Sequence, residues 1–171
     1  MSTKIILPEE IWVAGKGASF ETYNWRKAGT HRIGINETAF LIPKCWGAIA
    51  IDYKVLDKYL EQLNPSITLF RKIRHDKYRF PNMYLWTPQI EATNLHATAT
   101  IGLQIFHYLG ARKMHLVGFD SVDGEGSYAK SITDIGAEGD NKHGYKDVNV
   151  HLLKTIERLN IEAVWEHRNE S

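Results

Sequence analysis

The chain has 171 residues, 43% of them hydrophobic and 24% charged, and a formal net charge of +1. That length and composition describe one globular domain large enough to bury its own core. The near-balanced charge excludes a strong electrostatic pull toward nucleic acid or an anionic membrane.

The N-terminal stretch "MSTKIILPEEIWVAG" has only short apolar runs. It lacks the long stretch of a signal peptide or membrane span, so a cytoplasmic location and no membrane partner are expected. Within it, "EIWVAG" (10–15) is apolar and β-prone and predicts a buried strand ending at glycine. "FETYNWRKAG" (20–29) has helical character and a C′ glycine in Gly29. "HRIGIN" (31–36) and "GAIAID" (47–52) predict the second and third strands. Between them lies Cys45, the one cysteine, which excludes a disulfide framework and a cysteine-based zinc site; packing is its expected role. "YKVLDKYLEQL" (53–63) sets Val55, Leu56, Tyr59, Leu60 and Leu63 on one helical face. "SITLF" (66–70) and "NMYLW" (82–86) predict strands flanking the basic, aromatic "RKIRHDKYRF". That stretch reads as an anion-steering patch rather than a nucleic-acid surface. "TATIGLQIFHYLG" (98–110) has a threonine-rich start, an apolar stripe and Gly110 as a stop, all helix signals. "KMHLVGFD" (113–120) is the clearest strand and closes on Asp120. "VNVHLLKTIERLN" (148–160) predicts an amphipathic helix and "IEAVW" (161–165) a last strand.

Strands alternating with helices predict an α/β fold with a mostly parallel sheet. Residues 121–147 form the one long irregular region, and after the Asp120 strand they should hang over the C-terminal edge of the sheet as a lid.

The stretch "VAGKGASF" (13–20) carries the first chemical signal. Glycines permit close backbone approach, and N–H groups at a following helix start favour an anion. Gly15, Lys16, Gly17 and Ser19 are therefore candidate phosphate contacts, with a simple turn as the bland alternative. A substitution Gly17→Val should then clash with the ligand while the fold persists. The loop is neither the dinucleotide fingerprint, since position 20 is Phe, nor a P-loop, since it lacks the Gly-Lys-Ser/Thr ending. Asn36, after the second strand, can read a base or sugar edge. Thr98 and Thr100 bring hydroxyls to another helix start. Asp120 ends a strand as a catalytic candidate, and His143, in "DNKHGYKD", could take a proton from a hydroxyl or simply face solvent. Asp52 reads as a helix cap or a ligand contact. No histidine spacing suggests a bound metal.

The run "VAGKGASF … RIGINETA … AIAID … TATIGLQIFHYLGARKMHLVGFDS" resembles the Rossmann-like superfamily of 6-hydroxymethylpterin diphosphokinase-like proteins and family 42 bacterial sialyltransferases, whose compact members also occur in phage genomes. The resemblance implies a Rossmann-like sheet with helices on both faces. It implies that Gly15, Gly17, Ser19 and Asn36 contact a nucleotide and that His143 is the general base. Ala18 stands where the family commonly has proline, and Lys16 where it has a small polar residue. The implied function is a nucleotide-binding transferase, most like a glycosyltransferase using a nucleotide-activated sugar. Two alternatives stand beside it: a protein that sequesters a small nucleotide, and a pyrophosphokinase-like enzyme with Asp52 and Asp120 offering oxygens to Mg²⁺. The expected partner is a small nucleotide ligand, and a homo-oligomer stays open.

Overall fold

The computed structural model describes residues 5–72, 78–86, 98–136 and 145–169. Seven strands form one sheet: β1 (Glu10–Ala14), β2 (Arg32–Ile35), β3 (Gly47–Ile49), β4 (Thr68–Lys72), β5 (Asn82–Trp86), β6 (Lys113–Val117) and β7 (Glu162–Trp165). Their order is β5-β4-β3-β2-β1-β6-β7, and every neighbouring pair is parallel. Parallel pairing requires each connection to cross back over the sheet. Helices α1 (Tyr53–Gln62), α2 (Thr98–Tyr108), α3 (Lys130–Asp134) and α4 (Tyr145–Arg158) lie within these connections. The fold is α/β and Rossmann-like, as expected.

Alternation along the strands divides the core between the two faces. On one face Ile11, Val13, Ile33 and Leu116 pack with Ile105 and Phe106 of α2 and Leu152 of α4. On the other, Ala48 and Leu69 meet Leu56 and Tyr59 of α1, while Trp12, Ala14 and Val117 meet Phe20 and Ile132. The α2 stripe Ile101, Ile105, Phe106 and Leu109 is core, as its spacing predicts. Among the described residues no helix is long and apolar enough to cross a membrane.

Several boundaries differ from the sequence expectation. Residues 20–29 form no α-helix: Ala18–Thr22 and Trp25–Lys27 are short 3-10 turns. Asn24 separates them, its side chain accepting from the Arg26 N–H at 3.1 Å, a local bond that competes with the helical ladder. Gly29 is not a helix stop but lies against the Trp12 ring. β3 ends at Ile49, leaving Asp52 as the N-cap of α1. β6 ends at Val117, so Asp120 opens a 3-10 turn (Asp120–Asp123) instead of closing the strand. The 121–147 segment contains most of that turn, α3 and the start of α4, and residues 137–144 lie outside the described ones. Where it is described, the basic stretch is divided: Arg71 and Tyr78 are fully buried, with the Arg71 Nε–H pointing at Met83 Sδ at 3.2 Å, whereas Lys72 is half-buried and Arg79 exposed.

Candidate functional site

From β1 the chain winds outward through β2 to β5, then returns across the sheet to β6 on the other side of β1. The C-terminal ends of β1 and β6 therefore flank the topological switch point, where open α/β sheets bind ligands. Gly15 to Ser19 follow β1, Asn36 follows β2, Gly118 to Asp120 follow β6, and Thr98 and Thr100 open α2. The fold brings these expected residues to one edge.

At the crevice the two loops touch backbone to backbone. The Gly15 N–H donates to the Val117 carbonyl and the Gly17 N–H to the Gly118 carbonyl, each at 2.7 Å. A Cβ on Gly17 would lie 2.7 Å from the Gly118 oxygen and collide with the Asp120 carboxylate. Gly118 holds φ +74° with its α-carbon against the Gly15 carbonyl. The glycines thus serve contact between loops. Gly17→Val would disrupt the protein itself, so the expectation of a ligand clash in an intact fold is corrected.

Asp120 fills the position imagined for a phosphate. The Ser19 N–H faces both of its carboxylate oxygens at 3.2 Å, and the Ser19 hydroxyl donates to Oδ1 at 2.7 Å. A negative ligand at the same N–H would meet like charge. Lys16 is likewise engaged: its Nζ lies 2.6 Å from the buried carboxylate of Glu37 and 5.3 Å from the centre of the Tyr128 ring. The Ala129 N–H donates to the Lys16 carbonyl at 2.9 Å, and Gly17 and Tyr128 form an antiparallel bridge. Residues just before α3 thereby strap the loop.

Asn36 is different. It sits at φ +54°, a conformation asparagine tolerates better than most residues. Its carbonyl accepts from the Tyr59 hydroxyl. Burial, and then the charge of Glu37, raise the Tyr59 pKa well above the ordinary phenol range, so the hydroxyl stays a donor. Among the described residues, the buried side-chain oxygen of Asn36 has no hydrogen-bond partner, and the same holds for Thr100 Oγ1 and Trp86 Nε1. Buried polar atoms are normally paired, so each such atom calls for an account. All three lie on elements reaching the C-terminal edge of the sheet.

The remaining candidates divide. His143 lies outside the described residues. Asp52 accepts from the Lys54 N–H at 2.8 Å, the capping role. With Asp120 bound to Ser19, both acids proposed for Mg²⁺ have partners within the fold. Among the described residues no group of three or more His, Cys, Asp or Glu side chains could hold a metal ion. The turn after Asp120 is anchored through Asp123, which accepts from Arg168 at 2.7 and 2.6 Å and lies 2.6 Å from His167 Nε2. Those partners hold the Asp123 carboxyl well below the usual range. Burial pushes the Cys45 thiol up to about 11, which lowers its thiolate fraction near neutral pH about a hundredfold. A thiol reagent at pH 8 should label the native chain at least that much more slowly than the urea-unfolded chain. Equal rates would show Cys45 to be accessible and active.

Glu37, Tyr59 and Tyr128 support the site, and sequence reasoning missed them. Glu37 carried a usable signal, a lone acid one residue after Asn36 in "NETA". The others act through strand order and loop placement, which no local pattern encodes.

No protein-family model matches the sequence, and no curated protein matches it. The fold is similar to that of an alpha-2,3-sialyltransferase from Campylobacter jejuni, in its apo form, with a TM-score of 0.53 and 17% identity. The match covers 96% of this chain and 79% of that one. At that identity the likeness speaks to fold, and the fold of this chain is sialyltransferase-like.

Proposed function

We propose that the chain is a nucleotide-binding transferase of the glycosyltransferase kind, acting on a nucleotide-activated sugar. The observation that carries this reading is the buried side-chain oxygen of Asn36 at the C-terminal edge of the sheet, which has no partner among the described residues. An amide there can accept from an amino or hydroxyl group of a base or ribose, and the Thr100 hydroxyl can contribute from α2. The sialyltransferase-like fold supports the same reading. Because Asp120 holds the Ser19 N–H, the reading is revised in one respect. The hydroxyl-bearing part of the ligand faces Asp120, and its phosphates lie away from that carboxylate. Residues 121–147 serve as the lid in this proposal, with the Tyr128 strap as its fixed root.

Sequestration without turnover is the second reading. It is favoured by the Lys16–Glu37 pair, which leaves that lysine little charge to offer a departing phosphate.

Calorimetry on Asn36→Gly tests nucleotide binding. Glycine accepts φ +54° freely and removes the unpaired oxygen, so thermal stability should hold or rise. Affinity for nucleoside monophosphates and nucleotide sugars should fall about tenfold, the upper range for one hydrogen bond. Unchanged affinity in a folded variant would remove Asn36 from the site. No binding of any nucleotide by the wild type would end both readings.

A further inference from the structure

A cavity of about 540 Å³ opens beside the switch point on the face away from α2 and α4. That volume lies within the range of about 300–1,000 Å³ typical of small-molecule sites. Of the residues assigned to the nucleotide, only Ser19 lines it. Its other polar walls come from the 3-10 turns after β1 (Thr22, Tyr23, Asn24, Lys27) and from the chain after β7 (Glu166, Asn169).

Two of these groups are held in place from behind. The Trp12 Nε1–H donates to the Tyr23 hydroxyl oxygen at 3.1 Å. Nδ1 of His115 lies 2.6 Å from Glu166 Oε1. Trp12 and His115 are themselves stacked, their ring centroids 4.3 Å apart and their planes 5° from parallel. One rigid aromatic pair therefore orients a phenol and a carboxylate on the same cavity. Since the Tyr23 oxygen already accepts, its own proton is directed elsewhere, and among the described residues nothing takes it. Burial, and then the charge of Glu166, raise the Tyr23 pKa, so the phenol remains a donor beside an acceptor. Asn24 uses its oxygen on the Arg26 N–H, leaving its NH₂ as a donor.

A donor and an acceptor held on one cavity match a hydroxyl pair that accepts from one and donates to the other. Glu166 opposes an anion, and Lys27, which also lines the cavity, opposes a cation. We propose that this cavity binds a neutral polyhydroxyl ligand, one sugar ring of a saccharide, with Tyr23 donating to it and Glu166 accepting from it. The inference does not depend on nucleotide binding, because the two sites differ in every residue but Ser19.

The test is a titration of isotope-labelled full-length protein with methyl hexopyranosides, followed by NMR at the side-chain amides of Asn24 and Asn169. At least one glycoside should shift both signals. Tyr23→Phe should weaken that binding about fivefold to tenfold. Thr22→Trp, a substitution at an exposed position of the rim, should abolish it with an unchanged melting temperature, and this variant carries the test if Tyr23→Phe is unstable. Asn36→Gly should bind the glycoside as the wild type does, which separates this site from the nucleotide reading. The proposal is overturned if no methyl hexopyranoside shifts the amides up to its solubility limit. It is equally overturned if inorganic phosphate or tetramethylammonium shifts them instead, or if folded Tyr23→Phe binds unchanged.

Discussion

Gly118→Ala should cost about 2–5 kcal/mol in urea unfolding, combining a left-handed backbone penalty of about 1–2 kcal/mol with about 1–3 kcal/mol of overpacking. Gly118 holds φ +74°, and a methyl group there meets the Gly15 carbonyl and lies 3.2 Å from the Phe20 Cβ. Gly124 supplies the control. It holds φ +91° with nothing within 4 Å of an added Cβ, so Gly124→Ala should show the backbone penalty alone. The difference between the two variants measures the seal between the β1 and β6 loops. Equal losses would mean that the loops part at no cost and that the glycine contacts do not hold the crevice. For a domain with total stability of about 5–15 kcal/mol, the larger loss is a sizeable fraction of the whole.

His143→Ala should lower turnover about 10²–10⁴-fold, the usual worth of a general base, while leaving nucleotide affinity nearly unchanged. The motive is the proposal, drawn from the sequence resemblance alone, that His143 acts as the general base. Ligand consumption and affinity, measured side by side, separate the two readings of function. Tight binding with no product across nucleotide sugars and ATP would sink the transferase and leave sequestration. Turnover unaffected in His143→Ala would retain the transferase and dismiss this histidine as its base.

The sheet was legible because its strands are short apolar runs broken by glycine and polar residues, as in "KMHLVGFD", and because α2 spaces its apolar residues at the helical period. The strand order was not, since the return from β5 to β6 crosses four strands and leaves no local pattern. Residues 20–29 misled because Phe20, Tyr23 and Lys27 carry helical spacing, whereas the Asn24 side chain offers the backbone a competing bond. At the site, "GKGAS" was correctly placed on a loop after a strand, but its purpose was not readable. The partner that explains Gly17 and Ser19 is Asp120, about a hundred residues away, and a phosphate and a carboxylate impose similar demands on an N–H. Lys16 advertised a free charge only because Glu37 reaches it by way of a neighbouring strand.

The central place of β1 bears on how the chain is made. Its pairing with β2 closes within about twenty residues, but its pairing with β6, from Glu10–Lys113 to Ala14–Val117, closes only after about a hundred. At about 5–20 residues per second, a ribosome leaves that side of β1 without its partner for about 5–20 s. During this time "IWVA" presents an unpaired apolar edge, which invites pairing with another nascent chain. Synthesis that stalls before β6 therefore leaves the strand destined for the middle of the sheet as its open border. Such fragments should aggregate or recruit holdase chaperones, whereas stalling after β6 leaves β1 paired on both sides, with α3, α4 and the last edge strand still to be added.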